Sequence, residues 1–193
     1  VRRPGIFDLR PDMRTLRFFM NLSKTGAGDD ALLRAVAREL ENDGFSIMGA
    51  HELVPDVLAS KGAFGKILPD DVHQADIARG LDAARELGRL DIGQAVVVQQ
   101  GIVLGVEAVE GTDWLLGRCK KLKRKGTGGV LVKISKPGQD SRFDLPTVGP
   151  RTVKMAVEAE LSGIVVESGK TIVLEREEMI RLADRAGIFI VGI

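Results

Sequence analysis

The stretch between residues 133 and 149 holds the densest set of side chains suited to phosphate chemistry. Two cations, Lys136 and Arg142, suit phosphate oxygens. Two carboxylates, Asp140 and Asp144, suit a hard divalent metal ion. Loops of this length without internal structure are uncommon in compact domains and are often functional, so this stretch is a candidate site. The alternative is a solvated surface loop with incidental charges.

A second acidic stretch lies where a predicted strand ends and a predicted helix begins, and it reads Glu107-Ala-Val-Glu110-Gly111-Thr112-Asp113. Gly111 allows close approach of the backbone, and the open helix N-terminus, which Thr112 is predicted to cap, offers N–H donors to an anion. The three acids can hold a divalent cation between substrate phosphates. The residues alone favour the structural alternative, because acids at a helix N-terminus stabilise the helix dipole without any ligand.

The elements that position both stretches follow from hydrophobic periodicity and turn residues. Helices are predicted over residues 11–24, 29–43, 70–90, 112–125, 153–161 and 176–186, with a helical turn over 52–59. Strands are predicted over residues 45–48, 94–99, 102–106, 130–134, 164–166, 171–174 and 188–191, and Gln100-Gly101 indicates a hairpin. Because strands and helices alternate, we expect an α/β sandwich around a largely buried sheet. A connection rich in Gly and Pro places a domain boundary near Pro69.

Composition argues against several classes of protein. Lys and Arg total 28 of the 193 residues against 27 Asp and Glu, so a protein that binds nucleic acid by neutralising its phosphates is not expected. The single cysteine, Cys119, cannot form an internal disulfide, and the sequence holds no Cys/His cluster for zinc. No apolar run approaches the roughly 20 residues of a membrane span, and the start has no signal-peptide core, so we expect a cytoplasmic protein.

A basic run covers residues 120–125 at the predicted end of a helix. The favoured interpretation is a solvated helix end whose charges complement the helix dipole, and contact with a membrane surface or an anionic lipid is the alternative. A nucleic-acid-binding domain is a third hypothesis, and it predicts a steep salt dependence of binding.

Several spaced motifs follow one another along the whole chain. They are Leu9-Arg-Pro-Asp12, Gly28-Asp-Asp-Ala-Leu-Leu-Arg-Ala-Val36, Gly44-Phe-Ser-Ile-Met-Gly-Ala-His-Glu52, Asp91-Ile-Gly-Gln-Ala-Val-Val-Val98, Glu107 to Asp113, Gly129-Val-Leu-Val-Lys133, Lys136-Pro-Gly-Gln-Asp140, Arg142-Phe-Asp-Leu-Pro-Thr-Val-Gly149 and Ala186-Gly-Ile-Phe-Ile-Val-Gly192. Together they resemble the LpxI family of UDP-2,3-diacylglucosamine pyrophosphatases, which act in lipid A biosynthesis in Gram-negative bacteria. Members of that family are longer at the N-terminus, so the resemblance implies an N-terminally truncated chain.

The resemblance implies a partial N-terminal α/β domain, with residues 1–69 the remnant of a Rossmann-like domain, and a complete C-terminal catalytic α/β sandwich over residues 70–193. It implies hydrolysis of the pyrophosphate of UDP-2,3-diacylglucosamine to UMP and 2,3-diacylglucosamine 1-phosphate (lipid X), with Mg²⁺ as the cofactor and a lipid-linked UDP-sugar as the substrate. Peripheral contact with the inner membrane and a homodimer are both compatible with the resemblance. The competing hypothesis is a non-catalytic binding module for a sugar nucleotide or a phospholipid.

By resemblance the essential catalytic acid is Asp144. The implied metal ligands are Asp144, Asp113, Glu110 and Glu107, and the implied substrate-binding residues are Lys136, Gly138, Gln139, Arg142, Thr147, Gly111 and Thr112. If both stretches form one site, we expect the end of strand 102–106 beside the end of strand 130–134. Asp144 and either Glu110 or Asp113 would then converge on one cleft. The alternative leaves each acid on a separate solvent-exposed surface.

Overall fold

The computed structural model describes Met13, Thr15, Met20 and residues 29–193. The three isolated residues are helical, and the rest of the helix predicted over residues 11–24 lies outside the described residues. Contacts divide the chain into two compact units, Val1–Met48 and Gly49–Ile193. In the part of the chain that is described, no helix is long and apolar enough to cross a lipid bilayer.

The described part of the first unit consists mainly of helix α1 (Asp29–Asn42). Gly44 follows it in the left-handed region at a φ of 89°, and the amide of Phe45 donates back to the last turn of the helix. A glycine in this conformation is a common way for a helix to end. The strand predicted over residues 45–48 is wrong, because these residues have no strand pairing and both Phe45 and Met48 are exposed.

The second unit alternates helices and strands, as predicted. It opens with helix α2 (Ala50–Leu53), a 3-10 turn (Pro55–Val57) and the short strand β1 (Gly62–Ala63). The remaining elements are, in order, α3 (Asp71–Arg89), β2 (Ala95–Gln99), β3 (Ile102–Val106), α4 (Gly111–Leu122), β4 (Val130–Lys133), β5 (Thr147–Val148), α5 (Pro150–Glu158), β6 (Gly163–Val166), β7 (Ile172–Val173), α6 (Arg176–Ala186) and β8 (Phe189–Gly192).

Six strands form one mixed sheet in the order β1-β8-β6-β4-β2-β3, and β5 and β7 form a separate parallel pair. Strands β4, β6 and β8 run parallel, whereas β2 is antiparallel to both of its neighbours and β1 is antiparallel to β8. Strands β2 and β3 form the predicted hairpin. Gln100 and Gly101 at its turn have φ of 53° and 74°, the left-handed backbone that a tight hairpin turn requires.

The sheet order corrects two expectations. Strands β3 and β4 do not end side by side, because β2 lies between them. Both are antiparallel to β2, so they still run in the same direction and end at the same edge of the sheet. The stretch over residues 135–150, expected to be a loop, also contains β5, because Thr147 and Val148 pair with β7.

Helices cover both faces of the sheet, which confirms the predicted α/β sandwich. Helix α3 packs on one face through Ile77 and Leu87. Helices α4, α5 and α6 pack on the other face, where Leu115, Leu116 and Cys119 of α4 are fully buried. Burial raises the pKa of the Cys119 thiol to about 11.

The division into units lies between Met48 and Gly49, whereas the boundary predicted from the sequence lies near Pro69. The residues between these positions include β1, which pairs with β8. The amide of Phe64 also donates to the carbonyl of Ile190. By their contacts, residues 62–64 therefore belong with the sheet of the second unit.

Candidate active site

The two stretches singled out from the sequence leave the sheet at one edge. Val106, the last residue of β3, pairs with Val96 of β2. Lys133, the last residue of β4, pairs with Ala95, the neighbouring residue of β2. The ends of β3 and β4 are therefore level with each other. The segments that follow them, residues 107–113 and 134–147, begin where α/β sheets commonly bind ligands, at the carboxyl ends of strands.

Lys133 joins these two segments. It is only 8% exposed, and its Nζ donates to the Thr112 hydroxyl at 2.9 Å and to the Thr147 carbonyl at 3.1 Å. Thr112 belongs to the first segment and Thr147 to the second, so one buried ammonium connects both. Sequence reasoning misses this lysine as a site residue, because a cation at the end of an apolar strand is also typical of an ordinary strand end.

Three carboxylates interact electrostatically with the Lys133 ammonium. Burial lowers the pKa of this lysine, whereas the charges of Glu107, Asp113 and Asp144 raise it, and burial is the stronger effect. Three of the four acids assigned to a metal by resemblance thus act on one buried cation. That interaction brings the two segments into one electrostatic environment.

Glu107 is held by neutral partners as well. One carboxylate oxygen accepts a hydrogen bond from Thr112 Oγ1 at 2.6 Å, and the other accepts one from the Gln94 amide at 3.0 Å. Thr112 is not the N-cap that the sequence predicts, because Glu110 occupies that position of α4. The Thr112 hydroxyl lies instead between Glu107 and Lys133.

The other two acids of this segment are paired with arginines. Glu110 forms an ion pair with Arg118, and its pKa is lowered by its own backbone amide and by that guanidinium. The Asp113 carboxylate lies 2.7 Å from the guanidinium of Arg151 at the start of α5. Each of these acids therefore has a cationic partner within the protein.

A cavity of about 510 Å³ opens beside Asp144. Its charged walls consist of three cations and two carboxylates, contributed by Arg85, Lys136, Lys170, Asp144 and Glu167, and His51 also lines it. Of the residues assigned by resemblance, those that line this cavity are Asp144, Lys136, Gly138 and Gln139. Those outside its lining are Arg142, Thr147, Gly111, Thr112, Glu107, Glu110 and Asp113.

A short loop fixes the half-buried carboxylate of Asp144. Gln139 Nε2 donates to Asp144 Oδ2 at 2.5 Å, and the Lys136 amide donates to Gln139 Oε1 at 3.1 Å. Gly138 lies in this loop at a φ of 80°, a conformation in which most side chains would be strained. The loop therefore sets the direction in which Asp144 faces the cavity.

The two cations predicted to bind phosphate have different surroundings. Lys136 lines the cavity, and its Nζ lies 2.8 Å from a carboxylate oxygen of Asp91. Arg142 donates from Nε and Nη2 to the two oxygens of Asp140, at 3.0 and 2.7 Å. The structure thus places Lys136 at the cavity and Arg142 in a forked ion pair outside its lining.

Glu167 is a cavity residue that sequence reasoning misses. Its Oε2 accepts hydrogen bonds from the amide and the hydroxyl of Ser135, at 3.0 and 2.5 Å, and its Oε1 lies 2.8 Å from Lys170 Nζ. Burial by itself raises the pKa of Glu167, but the bonds from Lys170 and Ser135 outweigh burial and lower that pKa. Glu167 directly follows the buried strand β6, as Glu107 directly follows β3. This position in the sequence could have indicated that Glu167 is a site residue.

The described residues contain no group of three or more His, Cys, Asp or Glu side chains placed to hold a metal ion. Mg²⁺ in phosphate-binding sites commonly uses one or two carboxylates and completes its shell with water and substrate phosphates. Asp144 fits such a site because it lines the cavity. Glu110 and Asp113 fit it less well, because arginines already neutralise them.

Comparison with known proteins connects this geometry to one family. The chain matches the LpxI N-terminal domain over residues 1–57 and the LpxI C-terminal domain over residues 60–191. It is 46% identical, over 200 residues, to a Caulobacter vibrioides protein named UDP-2,3-diacylglucosamine pyrophosphatase LpxI. That comparison covers 100% of this chain and 71% of the relative. By these matches, the chain belongs to the LpxI family.

Proposed function

We propose that this chain hydrolyses the pyrophosphate of UDP-2,3-diacylglucosamine, giving UMP and 2,3-diacylglucosamine 1-phosphate. Membership of the LpxI family supports this proposal, as does the name of the C. vibrioides relative. The structural observation that carries it is the cavity in which Asp144 lies among Arg85, Lys136 and Lys170.

The cavity contains cationic side chains that can contact a pyrophosphate. Arg85, Lys136 and Lys170 bring three positive charges against two carboxylates. Asp91 holds Lys136 in place, and Glu167 holds Lys170. Cations that are already positioned can stabilise the charge developing on phosphate oxygens without reorganising during the reaction.

We assign Asp144 to the attacking water molecule. Gln139 occupies Oδ2, so Oδ1 is the oxygen available to orient that water and to accept its proton. The water oxygen forms a bond to one phosphorus while the bond from that phosphorus to the bridging oxygen breaks. The bridging oxygen then leaves with the other phosphate, which completes the hydrolysis.

The reaction is also proposed to need Mg²⁺. A bound divalent ion supplies charge neutralisation at phosphate oxygens, and Asp144 is the residue that would hold it from the protein side. The basic side chains around Asp144 bind the remaining phosphate oxygens. The hydrogen bond from Gln139 keeps the Asp144 carboxylate directed into the cavity, whether that carboxylate orients the water or holds the metal ion.

The test is release of UMP from UDP-2,3-diacylglucosamine in a nonionic detergent, with added Mg²⁺ and with EDTA. We expect turnover that requires the metal, and we expect Asp144→Asn to lower it by about 10²- to 10⁴-fold because the proton acceptor is lost. Asp71→Asn is the matched control. It removes an exposed carboxylate at the start of α3 and should turn over at the parental rate.

Each arm of this experiment has a contrary outcome. Parental turnover by Asp144→Asn would contradict the catalytic role of that carboxylate. Substrate binding without any UMP release would favour the non-catalytic binding module. Turnover that is unaffected by EDTA would remove the metal from the proposal.

A further inference from the structure

One side of α4 carries the single tryptophan of the chain at the surface. Trp114 is 72% exposed, although a tryptophan of a folded domain is usually well buried. Leu115, Leu116 and Cys119 of the same helix are fully buried against the sheet. With 3.6 residues per turn, Trp114 and Lys121 therefore lie on the opposite side of the helix, away from the core.

Two further exposed apolar residues lie at the ends of the helix. Val109, in the turn before α4, is completely exposed, and Leu122, at the helix end, is 49% exposed. A Cβ on Gly117, which lies between them, would have no atom within 4 Å. We call this region the α4 surface, and its members are Val109, Trp114, Gly117, Lys120, Lys121, Leu122, Arg124 and Lys125.

Cations are concentrated at the C-terminal end of the α4 surface. Four of them are exposed and form no ion pair within the described residues, namely Lys120, Lys121, Arg124 and Lys125. The other two cations of this region, Arg118 and Lys123, are paired with acids. The whole chain carries a formal charge of only +1, so these four unpaired cations are a local excess of positive charge.

We propose that the α4 surface binds an anionic lipid bilayer, with the helix lying flat against it. Tryptophan favours the membrane–water interface because its ring is largely apolar while its N–H can remain hydrated. Lysine and arginine on the same side are attracted to anionic headgroups, and each strengthens binding about fivefold. A nucleic-acid partner fits less well, because stacking of bases needs several aromatic side chains and this surface has one.

The N-terminal end of the α4 surface adjoins the segment over residues 107–113, which lies outside the cavity lining. Val109 lies two residues after Glu107, and Trp114 directly follows Asp113, and both of these acids act on the buried Lys133. The functional part of the inference rests on the proposed function. A substrate whose acyl chains remain in the bilayer would meet the enzyme at this edge of the sheet.

The tryptophan itself reports the contact. The full chain is titrated with vesicles of phosphatidylcholine, or of phosphatidylcholine mixed with phosphatidylglycerol, either of them with brominated acyl chains. We expect a blue shift and quenching of Trp114 emission only with the anionic vesicles, and a weaker response as salt is added. Emission that is unchanged by anionic vesicles would overturn the proposal.

A charge reversal on the α4 surface separates specific docking from general attraction. Lys121→Glu should weaken vesicle binding by at least about tenfold, because it removes one positive charge and adds a negative one. Arg79→Glu makes the same change at an exposed position of α3, on the other face of the sheet, and should leave binding nearly unchanged. Equal losses from both variants would overturn the proposal.

Turnover distinguishes this inference from the proposed function. Lys121→Glu should release UMP at the parental rate in nonionic micelles and more slowly from substrate in anionic vesicles. No turnover by any variant, with a Trp114 response to vesicles, would count against the proposed function alone. Salt-sensitive RNA binding without any response to vesicles would assign the α4 surface to nucleic acid and overturn the proposal.

Discussion

Lys133 shows how one side chain can connect two segments that are separate in sequence. Its ammonium holds the Thr112 hydroxyl and the Thr147 carbonyl, and it is the shared countercharge of three carboxylates. Burying this ammonium without its acidic partners would be costly, and so would burying an acidic partner without the ammonium. The position of Asp144 three residues before Thr147 therefore depends in part on this lysine.

We expect Lys133→Met to lower the free energy of unfolding by about 3–5 kcal/mol, because it leaves the buried Glu107 carboxylate without this cation. The rate of UMP release should fall with it. Urea unfolding measures the first effect. Lys154→Met, which changes an exposed lysine of α5, is the control and should change stability little. A Lys133→Met protein with parental stability and turnover would contradict the role assigned to this lysine.

Sequence reasoning identifies the acids of the site more readily than the residues that hold them. Asp144 can be identified from the motif to which it belongs. Glu107 can be identified because it directly follows a predicted strand. The hydrogen bonds that Lys133 makes to Thr112 and Thr147, and the one from Ser135 to Glu167, join residues 14 to 32 positions apart, and no local pattern specifies such pairs. The same limit explains why Thr112 is taken for a cap, since only the fold brings Lys133 to its hydroxyl.

Among the elements, the hairpin of β2 and β3 is fixed by a contact with α3. Asp76 of α3 is 1% exposed, and its two oxygens accept hydrogen bonds from the amides of Gln100 and Gly101, at 2.9 and 2.6 Å. This carboxylate therefore accepts hydrogen bonds from both amides of the turn, whose residues have left-handed backbone conformations. It thereby joins the helix on one face of the sheet to the turn at its edge.

Asp76→Ala should lower the free energy of unfolding by about 2–4 kcal/mol, because two amides lose a charged acceptor. Asp76→Asn should have a smaller effect, since one acceptor oxygen remains. Asp82→Ala, at an exposed position of the same helix, provides the comparison and should cost under about 0.5 kcal/mol. Equal urea midpoints for the Asp76→Ala and Asp82→Ala proteins would show that the turn does not need this carboxylate.

Elements whose signals are local were predicted well, whereas the two-residue strand β5, which depends on a distant partner, was not. The Gln100-Gly101 turn and the buried strands β2, β4 and β6 follow from composition over a few residues. Strand β5 has two residues, and it is a strand only because β7 lies alongside it. Residues 45–48 have the apolar residues of a strand, but none of the described strands pairs with them.

For the whole molecule, the sheet order is the feature that the sequence does not specify. Alternating strands and helices predict parallel neighbours, but the β2–β3 hairpin places an antiparallel strand inside the order and β3 at the edge. Packing of α4 against one face and α3 against the other then defines the two cores.

Within the described residues, both hydrophobic cores are formed by the second unit, so we expect a protein consisting of residues 49–193 to fold by itself. A unit of this size can bury enough apolar surface for an independent core. Circular dichroism should show one cooperative thermal transition. A broad transition without cooperativity would mean that the second unit requires the first.

The burial of Cys119 has a practical consequence for labelling. At a thiol pKa of about 11, roughly one molecule in ten thousand is a thiolate at neutral pH, and thiolate is the form that reacts with maleimides and methanethiosulfonates. The chain has no other cysteine. A cysteine introduced at an exposed position would therefore be the reactive one, so that spin labels or fluorophores can be attached site-specifically without first replacing Cys119.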